Sequence, residues 1–284
     1  MVPELRPRGI GEMLDLAVAL YRARFGQLAL LAATVVVPVQ VLSTIVLLSA
    51  QPTSLDVSVA GTTSPQYDTS SVLVGLAASL VVLFVGFVSN TFVIGVCARP
   101  VADAYIGHES TSTRGRIGGR GFGAVLAGAT LVALCEIVGF GFCGFGTFVV
   151  AAFLAVALPA LVLERVGPGA AIGRSLKLTK SYFFRVLGLI ISAQLLVSVV
   201  NLGLAFALRA FLLSGASVTV NVIAQGIAGT IAAVLTTPLL ATVAVVCYFD
   251  ARIRNEGFDV QLLLQRNDAR HAAARAAVQP APAR

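Results

Sequence analysis

Glu136 is the one acid set inside an apolar stretch of this 284-residue chain, between Ala133-Leu134-Cys135 and Ile137-Val138-Gly139. A carboxyl among such neighbours suits the uptake of a proton or the holding of a cation, because its charge is costly away from water. It also stands three residues before a glycine-rich turn, Gly139, Gly141, Gly144 and Gly146, where a side chain reaches water. Both readings stand, and the second is the simpler. Asn90, Thr91, Gln194 and Asn201 also lie in apolar stretches, where such groups bond between helices or line a cavity. Thr236-Thr237-Pro238 interrupts another stretch. Proline removes a backbone donor and kinks a helix there, with the threonines expected to cover the freed carbonyls. Such a kink either gates a path or only shapes packing.

Enzymatic constellations are not expected. The two histidines, His108 and His271, have no Cys, Asp or Glu cluster at ligand or triad spacing. No GxSxG, HExxH or P-loop pattern occurs. Cys97, Cys135, Cys143 and Cys247 fall in apolar stretches without CxxC spacing, as small hydrophobes do. No catalytic residue, metal ligand or cofactor is therefore assigned. Asp250, Glu256 and Asp259 alternate with Arg252 and Arg254, which reads as a salt-bridge set at a helix end.

The elements that must position these residues follow from composition. The chain is 57% hydrophobic and 12% charged, far from the roughly 25% charged of soluble domains. Crossing about 30 Å of hydrocarbon takes about 20 apolar residues in a helix, which satisfies its own backbone groups. Six stretches qualify, at about 27–49, 71–98, 122–140, 146–163, 184–213 and 219–249. The expectation is an all-α polytopic membrane protein with six transmembrane helices in three hairpins. Residues 1–26 form a leading amphipathic segment, 27–249 the membrane domain and 250–284 an extension with a disordered tail. The first apolar run starts too late and is too long for a secretory signal, so no cleavage is expected. Residues 51–70, rich in Ser and Thr, read as a connector.

All of the twenty Lys and Arg except Arg209 precede the first stretch, follow the sixth, or fall in the second and fourth connections, counting Arg185 at the very start of the fifth stretch with the fourth. By the positive-inside rule both termini are cytoplasmic. The net charge of +7 is spread beside the spans, which suits topology and anionic headgroups rather than nucleic acid. Two segments are amphipathic. Ile10, Met13, Leu14, Ala17, Tyr21 and Phe25 share one helical face. From Pro168 onward, Arg174, Lys177, Lys180 and Arg185 oppose Ala171, Ser175, Leu178 and Tyr182. Both are expected to be helices at the inner membrane surface. Arg174, Lys177, Lys180, Arg185, Arg252 and Arg254 are the expected contacts to headgroups or a partner. Asn90, Glu136, Asn201, Arg209 and Pro238 are the intramembrane polar features, with Glu136 and Arg209 expected to pair near the outer interface.

Three segments carry a family resemblance. They are Arg6-Pro7-Arg8-Gly9-Ile10-Gly11-Glu12-Met13-Leu14-Asp15 with Leu20-Tyr21-Arg22; Pro159 to Glu164 with Gly167, Ala171, Arg174-Ser175, Leu178 and Arg185; and Tyr248 to Asp259. Together, over about residues 5–265, the chain resembles the membrane-domain family named after glycerophosphoryl diester phosphodiesterases, and related bacterial six-helix membrane proteins of unknown function. The resemblance implies a membrane domain that accompanies a separate phosphodiesterase domain carrying the histidine and metal-binding acids. That catalytic half is expected to be absent, since the chain closes on a Pro/Ala/Arg tail. The expected role is a non-catalytic protein of the bacterial inner membrane that scaffolds or regulates a protein partner, or binds lipid headgroups. The alternative is a small transporter or lipid-handling permease. Transport implies a midplane cavity touching Asn90, Asn201 or the Pro238 kink, whereas scaffolding implies a closed apolar bundle.

Overall fold

The computed structural model describes residues 8–50, 69–107, 120–141, 144–211 and 218–257. Among them there are nine α-helices and no strand: α1 (Ile10–Ala23), α2 (Phe25–Ser49), α3 (Thr69–Ile106), α4 (Arg120–Gly141), α5 (Phe145–Leu154), α6 (Ala157–Leu163), α7 (Pro168–Thr179), α8 (Phe183–Phe211) and α9 (Val218–Glu256). Six helical stretches are long and apolar enough to cross a membrane. They are α2, α3, α4, the pair α5–α6, α8 and α9, and the molecule is an all-α polytopic membrane protein. Helices adjacent in sequence pack as three hairpins, α2 with α3, α4 with α5–α6, and α8 with α9.

The surface explains itself only in lipid. Leu30 is 62% exposed, Leu195 66% and Phe206 64%, side chains that water would penalise and hydrocarbon accepts. Small residues line the helix contacts instead. Ala32, Ala98, Ala129, Ala133, Ala152, Ala160, Ala193 and Ala241 are fully buried, allowing the close approach that packing between membrane helices requires. At the α4–α5 turn a side chain on Gly139 would meet the Gly146 carbonyl. Gly144 takes a positive φ of 74° as the N-cap of α5, a conformation glycine adopts without cost.

α9 is the axis of the bundle. It contacts α1, α2, α3 and α8, and every residue from Ala241 to Ala251 is buried. With 39 residues it is about 58 Å long, and α3 with 38 residues is about 57 Å. Both exceed about 30 Å of hydrocarbon, so they run past the expected limits at 98 and 249 and project at the end where the basic residues gather. α3 joins two apolar cores. One is shared with α1, α2, α8 and α9 and holds Met13, Leu28, Val101, Leu189 and Val246. The other is shared with α4 to α7 and holds Phe92, Val125, Leu158 and Ala171.

Three features of the helices differ from the sequence expectation or sharpen it. The fourth span is not one helix. It breaks at Ala155–Val156, where Pro159 cannot supply the donor that would continue the ladder. The break frees carbonyls in the last turn of α5. That of Phe153 accepts the Ser175 hydroxyl at 2.7 Å and the Thr179 hydroxyl at 3.3 Å, both from α7. In α9, Pro238 stands inside a continuous helix. Thr236 donates to the regular i−4 carbonyl of Ala232, not to the Val234 carbonyl that Pro238 leaves without its donor. The carbonyl of Leu235 is met from outside the helix, by the Tyr21 hydroxyl of α1 at 2.7 Å. Finally, α1 and α7 present their apolar faces to the bundle: Met13 and Ala17 are buried in α1, and Ala171, Ser175 and Leu178 in α7.

Candidate functional site

Polar side chains gather in two places. The first is the basic end, where the three sequence segments singled out above converge. Glu164 caps the C-terminus of α6, and its carboxylate accepts three hydrogen bonds from α7 and α9. Arg174 Nε of α7 donates to its two oxygens at 3.1 and 3.0 Å, and the Tyr248 hydroxyl of α9 donates to Oε1 at 2.9 Å. Arg174 Nη2 pairs with Glu256. Arg252 Nε donates to Glu256 at 3.0 Å and Arg252 Nη1 donates to the Tyr248 hydroxyl at 3.3 Å. Asn255 donates to the Leu178 carbonyl at the end of α7 at 3.0 Å.

Asp250, one turn back on α9, anchors a second group. It accepts the backbone N–H of Arg8 at 3.1 Å and Arg254 Nε at 2.9 Å, while Arg185 Nε stands 3.6 Å away. Arg254 also donates to the Arg8 carbonyl at 3.1 Å and lies over the Tyr182 ring, 5.7 Å from its centroid. Glu256 lies in the last turn of α9, beyond the length that spanning requires. Burial disfavours its charge, but hydrogen bonds from Arg252 and Arg174 outweigh this and hold its carboxyl below the ordinary carboxylate range.

Among the residues expected to meet headgroups or a partner, Arg174, Arg252 and Arg254 are thus engaged with carboxylates of the protein itself. Lys177 and Lys180 are exposed. Arg185 is paired only loosely: its Nε and Nη2 are buried without a hydrogen-bond acceptor.

The second place is inside the bundle. A cavity of about 280 Å³ is lined by Gln40 of α2, Ser89 and Asn90 of α3, Gln194 and Asn201 of α8, and Thr236 and Thr237 of α9. A smaller one of about 110 Å³ holds Glu136 of α4, with Asn90, Thr91 and Gln194 and apolar side chains of α5, α6, α8 and α9. Asn90, Gln194 and Leu240 line both. The polar residues of three separate spans, noted in sequence one by one, therefore face common space beside the Pro238 turn. Gln40 and Ser89 were not singled out from sequence, although each is a polar residue in an apolar run and carries the same signal.

Asn201 also donates to the Val197 carbonyl at 2.9 Å, and Thr91 donates to the Ala129 carbonyl across the α3–α4 contact at 3.1 Å. Glu136 makes no hydrogen bond or ion pair among the described residues. Arg209, its expected partner, is placed on α8 fifteen residues past Gln194, about 22 Å of helix, and its side chain lies outside the described residues. His108, Cys143, Asp259 and His271 also lie outside them. Among the described residues no three of His, Cys, Asp and Glu come together as metal ligands would.

A six-span membrane protein with a polar cavity among its helices and an ion-pair network at one end is what this fold and site define. No family model, curated protein or solved structure matches the chain.

Proposed function

We propose that this chain is a non-catalytic, multi-pass protein of the bacterial inner membrane that takes a small polar or amphipathic ligand into the space among its helices, as a transporter or lipid-handling permease does. The observation that carries this reading is the cavity of about 280 Å³ touching Asn90, Asn201 and the Thr236-Thr237 turn before Pro238. A scaffold has no need to keep seven polar side chains from four spans around open space, since each is costly in hydrocarbon. The interrupted fourth span supports the same reading, because broken helices accompany binding sites in membrane transporters. Both termini are assigned to the cytoplasm by the distribution of Lys and Arg. The likeness to the phosphodiesterase-associated membrane domains agrees with this placement without naming a substrate.

The test is purification from native membranes in mild detergent, with mass spectrometry of retained lipids, small molecules and proteins. A retained ligand that is lost on filling the cavity with Ala233→Phe supports the proposal. A stoichiometric protein partner with nothing retained in the cavity would replace it with the scaffold reading.

A second reading, binding of anionic headgroups at the basic end, is favoured by the two buried donors of Arg185 and by the exposed Lys177 and Lys180. Replacing Arg185 and Lys177 with Gln should lower retention of anionic lipid severalfold. Arg174 is a poorer choice for that test, since its loss would strand Glu164 and Glu256.

A further inference from the structure

Glu136 is the polar group that its surroundings explain least. It stands on α4, five residues before that helix ends at Gly141, and is half-buried. The residues lining its cavity from the other helices are Asn90, Thr91 and Ile94 of α3, Ala151 and Leu154 of α5, Leu158 of α6, Ile190 and Gln194 of α8, and Leu240, Val243 and Ala244 of α9. None of them is titratable or charged. Among the described residues no hydrogen bond or ion pair reaches the carboxyl. A carboxylate facing a cavity with no charged neighbour is stabilised by holding a proton or by sharing its charge with a bound cation.

The cavity offers what a small cation needs. Hard cations take oxygen ligands, and Asn90, Gln194 and Thr91, each carrying a side-chain oxygen, line the same 110 Å³ as Glu136. Thr91 has the backbone carbonyls of Phe87, Val88 and Ala129 as acceptors for its one proton, which leaves its oxygen lone pairs for other partners. The walls from α5, α6 and α9 are apolar, so nothing on that side competes for the charge.

We propose that Glu136, with Asn90 and Gln194, is a binding site for one monovalent positive charge, at which a proton exchanges with a cation. The exchange balances as carboxylic acid plus cation giving carboxylate–cation pair plus a released proton. The cation is an alkali-metal ion or the ammonium group of a ligand, two sources of one chemistry. This inference rests on the reading of the cavity as a ligand-handling space and assigns the group that would couple ligand entry to charge.

The experiment is proton release from the full chain in nanodiscs of zwitterionic lipid, weakly buffered and followed with a pH-sensitive dye. Sodium, potassium and ethanolamine hydrochloride are added in turn, with N-methylglucamine chloride as the control for ionic strength. The wild-type chain should release up to about one proton per molecule, saturably, and Glu136→Gln none. Asn90→Ala and Gln194→Ala should each raise the half-saturating concentration severalfold. Release with sodium or potassium assigns the site to a metal ion, and release with ethanolamine alone assigns it to an ammonium group. If Glu136→Gln does not fold, Glu136→Asp should shift the midpoint of release. No release from the wild type above the control, or equal release from Glu136→Gln, overturns the proposal. Ligand retention is measured separately, so retention without proton release sinks this site alone, and proton release without retention sinks the cavity reading alone.

Discussion

Asp250 is the acid whose removal should be felt most. Its side chain is 9% exposed and faces Arg185 and Arg254 while accepting the Arg8 backbone, whereas the Glu256 side chain is 25% exposed. Breaking a buried pair leaves uncompensated charge and costs about 3–5 kcal/mol, and the cost shrinks as water reaches the group, towards the about 0–1 kcal/mol of a fully exposed pair. Asp250→Asn should therefore lower thermal stability in detergent markedly and Glu256→Gln only slightly; equal effects would refute this ranking. Acid should act through the same groups. Because the carboxyl of Glu256 is held below its ordinary range, its share of stability is present above about pH 4.3, the unperturbed Glu value. That share is lost as pH falls through the lower folded value. The Glu256→Gln variant should lose stability less steeply over that acid range than the wild type, in melting curves taken at a series of pH values. At this scale the sequence discloses partners four residues apart, such as Arg252 with Glu256 and Arg254 with Asp250, because one helix brings them together. It does not disclose that Tyr248 reaches Glu164 across 84 positions, since only the packing of α6 against α9 creates that neighbour.

At the scale of elements, the existence of the spans was legible because hydrocarbon demands long apolar helices, and the start of α7 at Pro168 because proline suits a first turn. The break between α5 and α6 was not. Pro159 reads equally well as a helix end, and the hydroxyls that make a break tolerable stand at Ser175 and Thr179 in another helix. The same holds for α9, whose proline was legible while the group serving it, Tyr21 of α1, was not. This coupling between elements can be measured. Tyr21→Phe removes one hydrogen bond and should cost about 0.5–1.5 kcal/mol. Pro238→Ala restores a backbone donor to the Val234 carbonyl, beside that of Leu235, and so regularises the turn that Tyr21 supports; Tyr21→Phe should then cost less. A double-mutant cycle in apparent melting stability should show a coupling of roughly 0.5 kcal/mol or more between the two sites. Strict additivity would mean that α1 packs on α9 without supporting its proline turn.

For the whole molecule, the decisive asymmetry is electrical. Arg8, Arg174, Arg185, Arg252 and Arg254 lie together at one end of the bundle, and the chain places only Arg209 toward the other. Short connections rich in Lys and Arg stay on the cytoplasmic side during insertion, so the end bearing α7 should face the cytoplasm. The end joining α2 to α3 should face out. Native cysteines do not obstruct a labelling test, because Cys97 and Cys247 are buried and all four can be replaced by Ala or Ser. In that background Lys177→Cys, on the exposed face of α7, should react with a membrane-impermeant maleimide only after cells are permeabilised. Thr53→Cys, between α2 and α3, should react in intact cells. The reverse pattern would invert the molecule in the membrane and with it the side from which the cavity is filled. Labelling of both positions from one side would contradict an arrangement in which three spans, α3, α4 and the pair α5–α6, separate them.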